Sequence, residues 1–174
     1  MAAGALGTVQ AGDKRGQLMK LDGATIINDC YNSNPKALHF MIDTLAGMTA
    51  QRRILVAGEM LELGPTGEKL HADAGRHAAE KKIDLVIGVR GLGKALVEAA
   101  SAAGAKARYA ETPEEAGELL AKELRPGDAV LLKASRGVKL ENAIDAAQRI
   151  NRDVSASSRS LASSGPLGRR ERSE

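Results

Sequence analysis

Short apolar segments alternate with helical patterns along most of this 174-residue chain. Several of the apolar runs consist of Val, Ile and Leu without polar alternation, which is typical of strands buried on both faces. The predicted strands are Gln17–Leu21, Ala24–Asn28, Arg53–Ala57, Leu85–Val89, Ala107–Ala110 and Ala129–Lys133. The predicted helices are Pro35–Met48, Gly67–Lys81, Leu92–Ala103, Pro113–Leu124 and Leu140–Ile150. Strands that alternate with helices in this way predict a mainly parallel sheet with helices on both faces.

Local signals refine this prediction. The first two strands are separated only by Asp22 and Gly23, a favoured hairpin pair, so the first strand should be antiparallel and lie at an edge. Thr112 followed by Glu115 indicates a capping box, and Gly104 suits the end of a helix. We therefore expect a Rossmann-like α/β fold of about six strands with one antiparallel edge strand. In such sheets, ligands bind at the carboxyl ends of the strands.

The composition predicts one globular domain with two irregular ends. Residues 1–13 are rich in Gly and Ala and are interpreted as a linker remnant. Residues 14–150 carry the alternating pattern and form the predicted domain. Residues 151–174 are rich in Ser, Gly and Arg, show no apolar period and are predicted to be disordered.

Charge and cysteine usage exclude several classes of function. The net charge is +3, but the segment from Arg152 to Glu174 holds five Arg against three acidic residues, which leaves only +1 for the body. The body therefore offers no basic face for a nucleic acid. Cys30 is the single cysteine and cannot form an internal disulfide, which fits a reducing cytoplasm. The sequence shows neither an apolar run of membrane-spanning length nor a signal peptide, so a cytoplasmic location is expected.

Three loops after predicted strands carry candidate chemistry. The segment from Asn28 to Pro35 combines a carboxylate, a phenol and amides before a helix, which suits a ribose or phosphate, although a polar turn with a helix cap would look the same. Glu59 and Glu62, with His71 on the next helix, could do acid–base work or hold a cation, or could be a solvated loop and a surface histidine. Their spacing matches no metal site.

The loop after the last strand contains Lys133, Ser135 and Arg136. Two cations and a hydroxyl at a strand end suit the binding of a carboxylate or phosphate, although both cations could also be solvated. The segment Gly88–Ala95 reads G-x-x-x-x-G-K-A between a strand and a helix. A P-loop needs Ser or Thr at the position of Ala95 to bind Mg²⁺, so this segment is interpreted as a Gly-rich turn and helix start.

Three of these segments together resemble one family. TIINDCYNSNPKAL is similar to the D-D-S-Y-N-A-N-P segment of Mur ligases of the D-alanyl-D-alanine-adding (MurF) type. GEMLELGPTGEKLHADAG resembles their G-D-M-x-E-L-G…H…G segment, and VLLKASRGVKLENAI resembles their V-L-V-K-G-S-R-x-x-x-x-E segment. DKRGQLMKL resembles the segment that leads into the same domain. The resemblance covers residues 14–150 and identifies the chain as a carboxy-terminal domain of this family.

The resemblance implies a reaction and partners. The family joins D-alanyl-D-alanine to UDP-N-acetylmuramoyl-tripeptide with ATP and Mg²⁺ in peptidoglycan precursor synthesis. ATP phosphorylates the peptide carboxylate, and the dipeptide amine then attacks the acyl phosphate. An amino-terminal domain binds the UDP-sugar, and a central domain carries the true P-loop and the Mg²⁺ residues. The third domain, which this chain resembles, closes over ATP and brings in the dipeptide, so the isolated chain is expected to be inactive.

The resemblance also implies roles for individual residues. Five positions match nucleotide contacts of the family, with Asp29 at the ribose: Arg15, Asp29, Tyr31, Asn32 and Asn34. Six positions match contacts of the incoming substrate or nearby motif positions: Lys133, Ser135, Arg136, Glu59, Glu62 and His71. No catalytic residue and no metal ligand is expected in this chain.

The match to the family pattern has exceptions. Asn28 and Glu59 replace Asp, Ala134 replaces Gly, and Lys14 stands at the glycine of the leading segment. Two other classes of function stay open at this point. One is a free-standing P-loop-like nucleotide hydrolase built on Gly88–Ala95, and the other is a non-catalytic nucleotide-binding module.

Overall fold

Six strands form one sheet in the computed structural model, which describes residues 15–163. The strands are β1 (Gln17–Leu21), β2 (Ala24–Asp29), β3 (Arg53–Gly58), β4 (Leu85–Val89), β5 (Ala107–Ala110) and β6 (Ala129–Lys133). Their order across the sheet is β1-β2-β6-β3-β4-β5. β1 pairs antiparallel with β2, and every other pairing is parallel. The predicted fold class, including the antiparallel edge strand, is confirmed.

The hairpin between β1 and β2 turns on the predicted pair. Asp22 and Gly23 have φ angles of 47° and 81°, so both lie in the left-handed region that a type I′ turn requires. The register follows from this turn, because Leu21 pairs with Ala24 and Gln17 pairs with Asn28. The hairpin places β1 at the edge of the sheet and directs β2 into its interior.

Five helices follow the predicted pattern. They are α1 (Pro35–Ala46), α2 (Gly67–Glu80), α3 (Gly93–Ala102), α4 (Pro113–Glu123) and α5 (Glu141–Ser163), with short 3-10 turns at Gly64–Thr66 and Arg136–Val138. Their first and last residues differ from the prediction by at most two positions, apart from the end of α5. The Thr112 hydroxyl accepts from the Glu115 N–H at 3.2 Å, as predicted. The Glu115 carboxylate accepts from the N–H of Glu111 rather than of Thr112.

The prediction of disorder from residue 151 is wrong over residues 151–163, because α5 continues to Ser163. This segment contains neither Gly nor Pro, so nothing in it breaks a helix. The sequence of this segment lacks the apolar spacing of a packed helix because the segment has few packing partners. Val154 is 60% exposed and Leu161 is 77% exposed. The Asn151 amide donates to the carboxylate of Asp22 in the hairpin turn. Residues 164–174 and the predicted linker remnant 1–13 lie outside the described residues.

The sheet has a hydrophobic core on each face. Alternate residues of the central strands point to opposite faces, so Ile54 and Val130 enter one core while Leu55 and Leu131 enter the other. The helices α4 and α5 cover the first face, and α1, α2 and α3 cover the second. Among residues 15–163, no helix combines the length and apolar character needed to cross a membrane.

Helix pairs on each face approach closely at glycines. A Cβ atom at Gly75 of α2 would overlap the carbonyl oxygen of Leu96 in α3. A Cβ at Gly117 of α4 would overlap the carbonyl oxygen of Ala143 in α5. Because these neighbours are backbone atoms within helices, they cannot move aside without displacing the whole element.

We predict that Gly75→Ala lowers the free energy of unfolding by about 1–3 kcal/mol, the range typical of overpacking. Gly47→Ala is the matched control, because Gly47 has φ −81° and its added Cβ would meet atoms no closer than 3.6 Å. We expect this control to change stability by less than about 0.5 kcal/mol. Urea unfolding of both variants tests the prediction, and equal stabilities would show that α2 and α3 are not in close contact.

Candidate functional site

The carboxyl ends of three adjacent strands bring the candidate loops together. Asp29 at the end of β2 lies opposite Lys133 at the end of β6, and Lys133 lies opposite Ala57 in β3. Since β6 runs between β2 and β3, the loop that follows it emerges between the two earlier loops. The three segments that the sequence singled out therefore share one edge of the sheet.

An ion pair joins the ends of β2 and β6. The Lys133 ammonium donates to Asp29 Oδ2 at 2.6 Å and to the Asn32 carbonyl at 2.9 Å. The side chains of Lys133 and Asp29 are only 5% and 13% exposed. Removal of one partner from such a pair is strongly destabilising, because the other charge is then buried without a counter-charge. Lys133 thus fixes the loop that begins at Asp29.

Two arginines meet at one aromatic ring beside this pair. The guanidinium carbon of Arg15 lies 4.3 Å from the ring centroid of Tyr31, and that of Arg136 lies 5.3 Å from it. Both arginines are exposed, whereas Tyr31 is half-buried. The ring attracts each cation through its π face and holds the two positive groups near one another. Such a pair attracts an anion with two acceptor oxygens.

The amides of the loop between β2 and α1 have local partners. The Asn34 side-chain oxygen accepts from the Ala37 N–H at 2.8 Å and caps α1, as the alternative interpretation of this loop expected. The Asn32 side-chain oxygen accepts from the Ser33 N–H at 2.8 Å. Within the described part of the chain, two buried polar atoms near this loop have no hydrogen-bond partner, Ser33 Oγ and Asn28 Oδ1. Buried groups of this kind commonly receive a ligand or water.

His71 is fully buried on α2 and is not a surface histidine. Its Nε2 accepts from the Met60 N–H at 2.8 Å, and its Nδ1 lies 2.6 Å from the Gly67 carbonyl oxygen. Burial lowers the pKa of the His71 imidazole below its ordinary value. Both ring nitrogens have backbone partners, so neither is open to a ligand. Through the Met60 N–H, His71 holds the loop that carries Glu59 and Glu62.

Ser135 connects the three strand-end loops. Its hydroxyl accepts from the Leu61 N–H at 3.0 Å and donates to the Ser33 carbonyl at 3.5 Å. Its own N–H donates to the Glu59 carbonyl at 3.4 Å. Ser135 is 7% exposed, so little water competes for its polar atoms.

The turn between β4 and α3 holds a carboxylate of the protein itself. The Leu92 N–H donates to Glu59 Oε1 at 3.3 Å, and a Cβ added at Gly91 would overlap the Glu59 carboxylate. A negative charge against this turn repels a phosphate. Lys94, which a P-loop would direct at phosphates, is exposed. The geometry therefore supports the interpretation of Gly88–Ala95 as a turn and helix start.

The sequence analysis did not identify one residue that lies at this edge. Arg90, in the same turn, has φ 65° and donates to the Gly137 carbonyl at 3.3 Å. Its Nε also lies 4.0 Å from Glu59 Oε2. Its position inside the apparent P-loop pattern was the only available signal. Glu62, by contrast, is exposed and has a left-handed φ of 64°.

The predicted site residues differ in their exposure to solvent. The buried and half-buried residues held by hydrogen bonds within the protein are Asp29, Lys133, Ser135, Glu59 and His71. The exposed residues at this edge are Arg15, Arg136, Asn32, Asn34 and Glu62, and Tyr31, which both arginines contact, is half-buried. Within residues 15–163, no group of three or more His, Cys, Asp or Glu side chains is arranged to hold a metal ion.

The open, mainly parallel sheet with polar loops at its carboxyl edge defines a Rossmann-like domain, a class whose ligands bind at that edge. A sequence model of the family described as Mur ligase, glutamate ligase domain, matches residues 14–136. The chain belongs to this family and comprises its carboxy-terminal domain.

Individual relatives agree with this assignment. The chain is 35% identical over 147 residues to the UDP-N-acetylmuramoyl-tripeptide–D-alanyl-D-alanine ligase of Bacillus subtilis, covering 82% of this chain and 32% of the relative. It is 33% identical over 140 residues to the ligase of the same name from Mycobacterium leprae, covering 70% of this chain and 27% of the relative. The chain thus spans about a third or less of the curated relatives that it matches.

Solved structures show the same fold. The MurF structure from Acinetobacter baumannii superposes with a TM-score of 0.72 at 26% identity, covering 82% of this chain and 32% of that chain. The MurF ligase from Thermotoga maritima in complex with ADP gives a TM-score of 0.68 at 24% identity, covering 83% of this chain and 32% of that chain.

We predict that Asp29 and Lys133 are energetically coupled. Lys133→Met should lower the free energy of unfolding by about 3–5 kcal/mol, because it leaves the Asp29 carboxylate buried without its cation. The double variant Asp29→Asn, Lys133→Met should lose less than the sum of the two single variants. Urea unfolding of all four proteins gives a coupling energy, expected to exceed about 1 kcal/mol. Additive losses would mean that the two side chains do not interact in solution.

Proposed function

We propose that this chain is the closing domain of an ATP-dependent ligase that joins D-alanyl-D-alanine to UDP-N-acetylmuramoyl-tripeptide. The names of the relatives supply the reaction, and the segments of this chain that resemble the family lie at one edge of the sheet. The observation that carries the proposal is the pair of exposed arginines on Tyr31, next to the pair of Asp29 and Lys133. Two cations beside a held carboxylate suit a ligand that has both phosphates and hydroxyl groups.

The nucleotide would contact the loop between β2 and α1. In this proposal Arg15 binds phosphate oxygens, and Asp29 accepts from the ribose hydroxyls with carboxylate capacity that Lys133 does not use. Tyr31, Asn32 and Asn34 line the same loop and contact the nucleotide around these two anchors. The unpartnered Ser33 hydroxyl in this loop also favours a polar ligand there.

The incoming dipeptide would meet the neighbouring loops. Arg136 is exposed and can form a bidentate contact with the dipeptide carboxylate, and Glu62 is the exposed carboxylate available to its ammonium group. Lys133, Ser135 and Glu59 would act by holding the loops in place, since their polar atoms already have partners in the protein. Tyr31 would then bring the nucleotide and dipeptide sites next to each other through its two arginines.

Turnover would need the domains that precede this one in the relatives. Catalysis here depends on holding the amine against the acyl phosphate, and this domain would supply one side of that arrangement as a lid. The described residues hold no group of three or more His, Cys, Asp or Glu arranged for a metal ion, and Mg²⁺ would be held by the central domain. We also infer a cytoplasmic location, which a single cysteine that cannot form an internal disulfide favours.

We predict that the chain releases no phosphate from ATP by itself. Release should begin when the purified chain is mixed with the amino-terminal and central domains of the Bacillus subtilis relative, supplied as one piece, and should depend on both tripeptide and dipeptide substrates. Phosphate release by the chain alone, without the dipeptide, would contradict the lid function and favour a hydrolase at Gly88–Ala95. Nucleotide binding without release in any mixture would favour the non-catalytic module.

Variants identify the contacts within this assay. Removal of one charge-assisted hydrogen-bonding group typically weakens binding by about tenfold to a hundredfold. Arg15→Ala should therefore raise the KM for ATP, and Arg136→Ala should raise the KM for the dipeptide, by roughly this factor. Lys94→Ala is the matched control, because it removes an exposed cation from the P-loop-like turn and should leave both constants unchanged.

A further inference from the structure

The imidazole of His71 bridges a helix and a loop deep in the protein. His71 is 0% exposed and lies on α2, and the Met60 N–H that bonds to it belongs to the loop after β3. Met60 itself is 1% exposed, so water cannot replace this hydrogen bond. A backbone N–H left unpaired in such a place is strongly unfavourable.

The two partners of His71 determine its protonation. The Gly67 carbonyl oxygen can only accept, so the Nδ1 atom 2.6 Å away must carry the hydrogen. The Met60 N–H can only donate, so Nε2 must be bare. These contacts require the neutral Nδ1–H tautomer. An imidazolium would direct an Nε2–H at the Met60 N–H, and the two donors would repel each other.

The loop that His71 holds is connected to the rest of the site. The residue after Met60 donates its N–H to Ser135 at 3.0 Å, and the Ser135 hydroxyl donates to the Ser33 carbonyl at 3.5 Å. The residue before Met60 is Glu59, whose carboxylate accepts from the Leu92 N–H. A displaced Met60 would therefore disturb contacts to the loops after β2, β4 and β6.

We propose that His71 is a positioning residue whose neutral tautomer fixes the loop after β3 and, through Ser135, aligns the strand-end loops of the site. The ligands of these loops rest on the proposed function, whereas the hold of His71 on the loop structure concerns this chain alone. When the His71 ring takes up a proton, its hydrogen bond from the Met60 N–H is lost and the loop after β3 is released.

Burial of His71 determines the pH range in which the loop after β3 is released. Burial lowers the pKa of His71 from its ordinary value of 6.5, and the Gly67 carbonyl and the Glu59 carboxylate oppose this effect. No charged group on α1 or α3 within the described residues adds to these causes. Because the unfolded chain takes up the proton more readily, the stabilisation by neutral His71 is complete above pH 6.5 and falls as the pH is lowered towards the folded pKa.

Two substitutions separate the contacts of His71 from its titration. In His71→Gln, the amide oxygen can accept from the Met60 N–H and the amide nitrogen can donate to the Gly67 carbonyl, but the group does not titrate. In His71→Leu, the volume is filled and the Met60 N–H has no acceptor. The wild-type chain and both variants would be compared by NMR between pH 7.5 and 5.0.

The wild-type spectrum should show His71 with the hydrogen on Nδ1 and with a pKa below that of an exposed histidine. Near neutral pH, the Met60 and Leu61 amides should exchange with solvent at similar rates in the wild type and His71→Gln, and roughly tenfold faster in His71→Leu. As the pH falls below 6.5, the ratio of wild-type to His71→Gln exchange rates should rise, because proton uptake by His71 stabilises the opened form of the wild type only. If His71 merely filled space, His71→Leu would protect the Met60 amide as well as His71→Gln does.

Three results would overturn the proposal. These are a hydrogen on Nε2, equal Met60 exchange in His71→Leu and the wild type, and a wild-type to His71→Gln ratio that stays constant with pH. If His71→Leu fails to fold, the tautomer and the pH-dependent ratio still decide. All of these measurements use the chain alone, so a ligase assay that fails to reconstitute would count against the proposed function without changing this result.

Discussion

The insertion of β6 between β2 and β3 is the constraint on which the rest of the structure depends. β6 is the last strand in the chain, yet its backbone pairs in parallel with two strands that precede it by about a hundred residues and by roughly seventy-five residues. Its five residues are all buried, so it is held by packing on both faces as well as by its ladders. This placement sets the loop of Ser135 and Arg136 between the loops that follow β2 and β3.

Contacts at this edge then divide the polar residues between structure and ligand. Parallel strand ends crowd their loops together, and the crowded backbone groups need partners. Lys133, Ser135 and His71 provide those partners from buried positions, which explains why a site rich in polar side chains offers only a few of them to solvent. Two exposed cations of this edge, Arg15 and Arg136, share one aromatic ring, so their positive charges lie close together.

Local pattern was enough to predict the strands, the hairpin and most helix ends, because Val, Ile and Leu runs, the pair Asp22 and Gly23, and the cap at Thr112 act through neighbours in sequence. The strand order and the contacts of the site were beyond such patterns. Lys133 meets Asp29 across 104 positions, and Ser135 meets Leu61 across 74. The segment 151–163 was missed for a different reason. A helix with few packing partners needs no regularly spaced apolar residues, so its sequence carries no pattern that predicts it.

Two departures from the family pattern lie against glycines in this structure. Glu59 stands where the resembling family often has Asp, and its carboxylate reaches the Leu92 N–H against the bare backbone of Gly91. Ala134 stands where that family has Gly, and its methyl group lies 2.5 Å from the position that a Cβ on Gly58 would occupy. Each larger side chain therefore faces a glycine across the loop cluster. These glycines leave room for both larger side chains, and the loop that carries Glu59 keeps its contacts with His71 and Ser135.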